Sequence, residues 1–178
     1  MSTPEEQATY GTVEQRDDGR WQLRFTRTLR HPVDRVWRAI TEPEHLARWF
    51  PTTIEGDRYA GAPLRFSFPR HEWPSFEGEM ITYDPPSVVE LRWGPDILRL
   101  ELRPVAEGTE LTLLDALEER GKAARDGAGW HTSLDSLEAA LEGEERAREG
   151  LGKWSEVHSH YVDSFGPEAA TIGPPEAS

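Results

Sequence analysis

From Trp21 to Leu29 the chain alternates, with Trp21, Leu23 and Phe25 set against Gln22, Arg24 and Thr26. A period of two predicts a strand with one buried face. "TYGTVEQ" and the turn signal "RDDG" precede it, which makes this strand the second arm of a hairpin. The period then changes. Val36, Trp37 and Ile40 follow Val33 by three, four and seven positions, one apolar face of a helix. Pro32 suits its first turn, where a missing N–H costs nothing, and Asp34 complements the helix dipole. "TEP" breaks this helix and starts another, with Thr41 or Glu42 as cap and Pro43 in the first turn. Leu46, Trp49 and Phe50 give the second apolar face, and Pro51 ends it. Neither helix is long enough to be stable alone, so both must lie on another layer.

That layer follows as five runs: "APLRFSF", "FEGEMITYD", "SVVELRWG", "ILRLELRP" and "TELTLLDAL". The connections "PRHEWPS", "DPP", "GPD" and "VAEG" are too short for crossover helices, which predicts an antiparallel meander. Leu98, Leu100 and Leu102 alternate with Arg99, Glu101 and Arg103, so one face of the sheet is covered and the other wet. The cover is "GKAARDGAGWHTSLDSLEAALEG", where Trp130, Leu134, Leu137 and Leu141 form a helical stripe. A helix of ~20 residues spans ~30 Å, enough to cross a small sheet. Gly127 and Gly129 inside it mark a kink or a close approach of another surface.

Organisation follows from these elements. Residues 1–7 form a solvated tail and 8–142 a single domain. Residues 143–166 add a charged segment and a last amphipathic helix through Trp154, Val157, Tyr161 and Phe165. Residues 167–178, rich in proline with few anchors, are expected to be loosely ordered.

The 178 residues carry a net charge of -13, which argues against a nucleic-acid binder and against docking on anionic membranes. Disulfide, thiolate-metal and cysteine-nucleophile chemistry are excluded because the chain has no cysteine. "MSTPEEQATYG" has neither a basic start nor an apolar core, and no apolar run approaches membrane-spanning length. The expectation is a cytoplasmic protein with no stable membrane insertion.

The element order resembles the α+β helix-grip fold of the START or Bet v 1-like (SRPBCC) superfamily, in which a curved antiparallel sheet wraps around a long C-terminal helix. "FTRTLRHPVDRVWRAITEPEHLARWF" is similar to the signature of the heat-shock chaperone ATPase activator-like (AHSA-type) family, as found in bacterial single-domain members. The matching positions are Arg27, Pro32, Val36, Trp37, Ala39, Thr41, Pro43, Leu46 and Trp49. Further similarity lies in "GAPLRFSF", "FEGEMITYDPPSVVELRW" and "GW" followed by "LDSLEAAL".

The resemblance implies a V of two short helices closing one end of a cavity between sheet and long helix, and binding there of a small hydrophobic molecule, lipid-like or aromatic. The candidate lining is Trp49, Phe66, Phe68, Met80, Trp93, Leu98, Leu100, Leu113, Trp130 and Leu134, with Trp73 as a lid in "PRHEWPS". The competing expectation is that these side chains pack solidly on one another. Two other readings stay open: an aromatase/cyclase- or hydrolase-like enzyme using the same cavity, and a chaperone or protein-interaction module with an unidentified protein partner. The eukaryotic activators carry a separate N-terminal domain tied to stimulation of the chaperone, and this chain has only a short hairpin there.

Catalytic groups are thin. His131 points about one hundred degrees from the Trp130 stripe and reads as a surface or boundary residue. Asp115 and Asp126 could supply a carboxylate, but each is explained as solvated. His158 and His160 are spaced wrongly for one helix face, and no third ligand is evident. No catalytic residue, metal site or cofactor is therefore expected, and no phosphate-cradling or nucleophile motif is present.

Overall fold

A computed structural model describes residues 9–143 and 151–173. The elements in chain order are β1 (Thr12–Gln15), β2 (Trp21–Leu29), α1 (Val33–Thr41), α2 (Pro43–Leu46), β3 (Pro63–Phe66), β4 (Phe76–Asp84), β5 (Val88–Trp93), β6 (Asp96–Val105), β7 (Gly108–Leu117), α3 (Ala123–Leu141) and α4 (Leu151–Phe165). Short 3₁₀ turns precede α3 at Arg120–Lys122 and follow α4 at Pro167–Ala169. The strands form one seven-stranded sheet in the order β1-β2-β7-β6-β5-β4-β3, antiparallel at every pairing. The molecule is an α+β helix-grip fold.

Register decides what the covered face presents. One row crosses five strands as Leu23, Asp115, Leu98, Leu91 and Met80, each opposite the next. The row beside it runs Phe25, Leu113, Leu100 and Val89. All nine are buried, and each fully buried large apolar side chain contributes about 1.5–3 kcal/mol. Asp115 is the single charged residue among them.

The short helices form as the sequence dictates. Glu42 is the extended residue between α1 and α2, and Pro43 opens the second helix. Trp49, fully buried, donates its indole N–H to the Ala39 carbonyl at 2.9 Å. This bond ties the turn after α2 to α1, so two helices too short to persist alone hold each other against the sheet.

On the long helix, Trp130, Leu134, Leu137 and Leu141 are buried as the stripe requires. A Cβ on Gly127 would sit 3.4–3.7 Å from Phe165, Tyr161 and Leu23, so this glycine marks the close approach of α4. Gly129 meets nothing. His131 differs from its expected place at the surface or boundary. It is only 4% exposed because α4 and Tyr10 cover that side of α3. Its Nδ1 hydrogen-bonds the Tyr161 hydroxyl at 2.9 Å, and the same hydroxyl accepts the Gly11 N–H at 2.8 Å.

The end of the chain also differs from the expected loose tail. Ala169 is fully buried, and Ile172 N–H donates to the Gly121 carbonyl at 3.1 Å, so residues 167–173 are anchored where α3 begins. The expected tail at 1–7, the charged stretch at 144–150 and residues 174–178 lie outside the described residues. No described helix is long and apolar enough to cross a membrane.

The Tyr161 hydroxyl joins α4, α3 and the segment before β1. Tyr161→Phe removes the acceptor of the buried Gly11 N–H and the Tyr161–His131 hydrogen bond. It is expected to cost about 1–3 kcal/mol, read as a lower urea midpoint with an unchanged slope.

Candidate functional site

Aromatic side chains fill much of the space between sheet and long helix. Trp93 on β5 meets Phe66 at 4.8 Å, Phe76 at 5.0 Å, Phe50 at 5.2 Å and Trp130 at 5.9 Å between ring centroids. Phe50 in turn packs on Trp49 at 5.2 Å and Trp130 at 5.6 Å. Offset and edge-on contacts of this kind each contribute about 0.5–1.5 kcal/mol beyond burial. Phe68 continues the cluster outward, 5.9 Å from Phe76 and 5.1 Å from Trp73. Trp73 is half-buried and stacks on His71 at 3.9 Å. Leu113 and Leu134 are buried in the core.

A cavity remains beside this cluster, displaced toward the short helices. Met80, Leu98 and Leu100 from the expected set line it, together with Val89 and Leu91 on the same sheet face. Ile40 and Thr41 of α1 form its roof, and Phe50, Ile54 and Arg58 close its side. Of the other expected residues, Trp49, Phe66, Phe68, Trp73, Trp93, Leu113, Trp130 and Leu134 are outside this lining. The free volume is about 10 Å³, room for about one water.

Arg58 is the only charged group of the lining. Its guanidinium donates to the carbonyls of Thr41 at 2.9 Å, Gly56 at 3.1 Å and Ile54 at 3.2 Å. The bond to Thr41 places a cation at the C-terminal end of α1, where the helix dipole favours one. No carboxylate of the described residues pairs with it. Burial accordingly lowers its pKa from the ordinary value.

A second constellation lies where α3 begins. Asp96 at the start of β6, Asp115 on β7 and Asp126 in the first turn of α3 each offer a carboxylate oxygen, all within 4.8 Å of one another. Asp96 Oδ1 accepts from Lys122 Nζ at 2.7 Å and from the Glu118 N–H at 2.9 Å. Asp115 Oδ2 accepts the Trp130 indole N–H at 2.9 Å, while its Oδ1 is buried with no hydrogen-bond partner. Asp126 pairs with Arg125 at 2.9 Å. Burial raises the Asp115 carboxyl well above the ordinary carboxylate range; Asp96 and Asp126 push it further, against Trp130 and Lys122. Burial also raises Asp126.

The sequence treats Asp115 and Asp126 as solvated, and Asp96 carries no signal at all. Only the alternation in "TELTLLDAL", which sets Asp115 in phase with Leu111 and Leu113, could have placed a carboxylate on the inner face.

Residues 30–142 match the family model described as activator of Hsp90 ATPase homolog 1-like protein. The chain belongs to this family. The match runs from just before α1 to the end of α3, so it contains the cavity lining and the carboxylates but not Tyr161. Solved structures similar to this family member include a conserved protein of unknown function from Enterococcus faecalis, 20% identical, covering 89% of this chain and 91% of that one with a TM-score of 0.74. CalU16 from Micromonospora echinospora is 23% identical, with 88% and 97% covered and a TM-score of 0.70. DynU16, from the dynemicin biosynthetic locus, is 29% identical, with 71% of this chain and 50% of that one covered and a TM-score of 0.63. A search of curated proteins gave no match.

The Asp115 proton gives a stability signature. Its folded-state pKa is raised, so its contribution is full at or below the ordinary carboxylate pKa of about 4 and is lost as pH rises through the raised value. Asp115→Asn keeps an oxygen for the Trp130 N–H and removes the buried charge. In EDTA it is expected to exceed the wild type in stability at neutral pH and to lose that advantage near pH 4, measured by urea denaturation at both.

Proposed function

We propose that this family member binds a small, mostly apolar molecule bearing an anionic group, with the apolar body against the inner face of β4–β6 and the anion at Arg58. The observation that carries this reading is the lining: eight apolar side chains, Thr41, and one half-buried guanidinium with no carboxylate partner among the described residues. Pockets that are mostly apolar with a few polar groups fixing orientation suit such ligands.

The free volume of about 10 Å³ requires side chains to move on binding. Met80 is unbranched and adaptable. Among the described residues Arg58 is held by backbone carbonyls alone, which a ligand carboxylate can replace with stronger charge-assisted bonds. The irregular segment between α2 and β3 carries Arg58 and also Tyr59, the one large hydrophobic residue exposed among those described. Opening therefore moves a loop rather than the sheet.

The lining offers no carboxylate or histidine to accept a proton, which favours binding over turnover there. That DynU16 belongs to a biosynthetic locus agrees with the handling of a small product or intermediate. A soluble, cytoplasmic carrier or sensor of such a molecule is the reading that fits these features together.

The test is a calorimetric titration with medium-chain fatty acids and aromatic carboxylates, each paired with its methyl ester. The acids are expected to bind at least about ten-fold tighter than the esters, a difference of about 1.4 kcal/mol. Arg58→Leu should remove that difference and leave ester binding in place. Leu100→Phe, which fills the cavity, should abolish both. Equal affinity for acid and ester would remove the role given to Arg58, and undiminished binding to Leu100→Phe would move the ligand elsewhere.

A further inference from the structure

We infer that Asp96, Asp115 and Asp126 form a binding site for a calcium-sized divalent cation where α3 begins. Two separate observations point there. Three carboxylates from three different elements bring oxygens within 4.8 Å of one another. One of them, Asp115, is 1% exposed and keeps an oxygen with no hydrogen-bond partner. A buried acceptor left unpaired costs about 1–3 kcal/mol, more when charged, so a cation at this point satisfies a group that the protein itself does not.

The local charges agree. Among the described residues the three carboxylates form ion pairs with two cationic side chains, Lys122 on Asp96 and Arg125 on Asp126. With all groups ionised the cluster is left one negative charge in excess. Lys122 engages Asp96 Oδ1 and Arg125 engages Asp126 Oδ1, so neither reaches the free oxygen of Asp115.

Ligand type and spacing select the ion. Carboxylate oxygens suit calcium, magnesium or manganese rather than thiophilic metals. A calcium ion with oxygens at about 2.3–2.6 Å spans up to ~5 Å between opposite ligands, whereas magnesium at about 2.0–2.1 Å spans only ~4.2 Å. The 4.8 Å envelope therefore takes calcium without contraction. Asp126 is the most exposed of the three, with a side chain 20% accessible against 4% for Asp96, and it gives the ion an entry side and room for water ligands.

Terbium serves as a luminescent probe of calcium size, excited through Trp130, whose indole nitrogen is 2.9 Å from Asp115. The full chain is titrated with terbium, then with competing calcium, and its melting temperature is followed in calcium against EDTA. Expected are sensitised emission that millimolar calcium displaces and a melting temperature at least about 2 °C higher in calcium. Asp126→Asn and Asp115→Asn should each weaken terbium affinity at least about ten-fold while folding normally by circular dichroism. Asp126, being partly accessible, covers the case in which the buried substitution disturbs the fold. No emission and no calcium-dependent shift would overturn the assignment. So would emission that persists undiminished in both variants, which would place terbium on the acidic surface instead.

Discussion

Trp130 holds the two layers of this molecule in their present relation. Its ring packs on both Phe50 and Trp93, and its N–H donates to Asp115 on strand β7. A smaller residue here would free the aromatic cluster on one side and leave a buried carboxylate oxygen unpaired on the other. The ring also sets where space remains. Because Trp130, Trp93, Phe66 and Phe50 occupy the region under the start of α3, the residual cavity is pushed toward α1 and the segment carrying Arg58.

Most of the fold was legible because its determinants are local. Alternation located β2 and β6, and the spacing of Val33, Val36, Trp37 and Ile40 located α1. The Glu42–Pro43 step located the break between the short helices. What the sequence hid is non-local. His131 lies off the Trp130 stripe and looks exposed until α4 folds back over it, which depends on Gly127 allowing close approach. The anchoring of residues 167–173 likewise rests on contacts with Gly121, about fifty residues earlier, that no periodicity records.

The candidate sites divide along the same line. Met80, Leu98 and Leu100 follow from strand alternation, and they line the cavity. Arg58 sits in an irregular segment without pattern, so nothing in the sequence distinguishes it from the other arginines. The carboxylates illustrate the limit more sharply. Asp96, Asp115 and Asp126 are about ten to twenty residues apart, on two strands and a helix, and metal-ligand spacing rules address ligands on one helix or one loop. Their convergence is a product of register: Asp115 is opposite Leu98, two residues along β6 from Asp96, and α3 starts directly above them.

The two sites stand in opposite relations to the charge of the whole protein. A net charge of -13 raises the local concentration of cations and lowers that of anions around the surface. It would therefore assist a divalent ion at the proposed carboxylate site and oppose an anionic ligand at the proposed Arg58 site. The guanidinium can overcome this only at short range, within a partly desolvated setting where a charge-assisted bond is strong and the surface field is screened beyond about 8–10 Å. The apolar lining has the complementary role. Burial of a ligand's hydrocarbon body contributes about 25 cal/mol per Å² whatever the sign of the surface, so in the proposed complex the cavity would supply attraction and Arg58 selection. On the proposed reading, an acidic protein whose cavity-edge arginine has no carboxylate partner among the described residues would discriminate among apolar molecules by their one charged end.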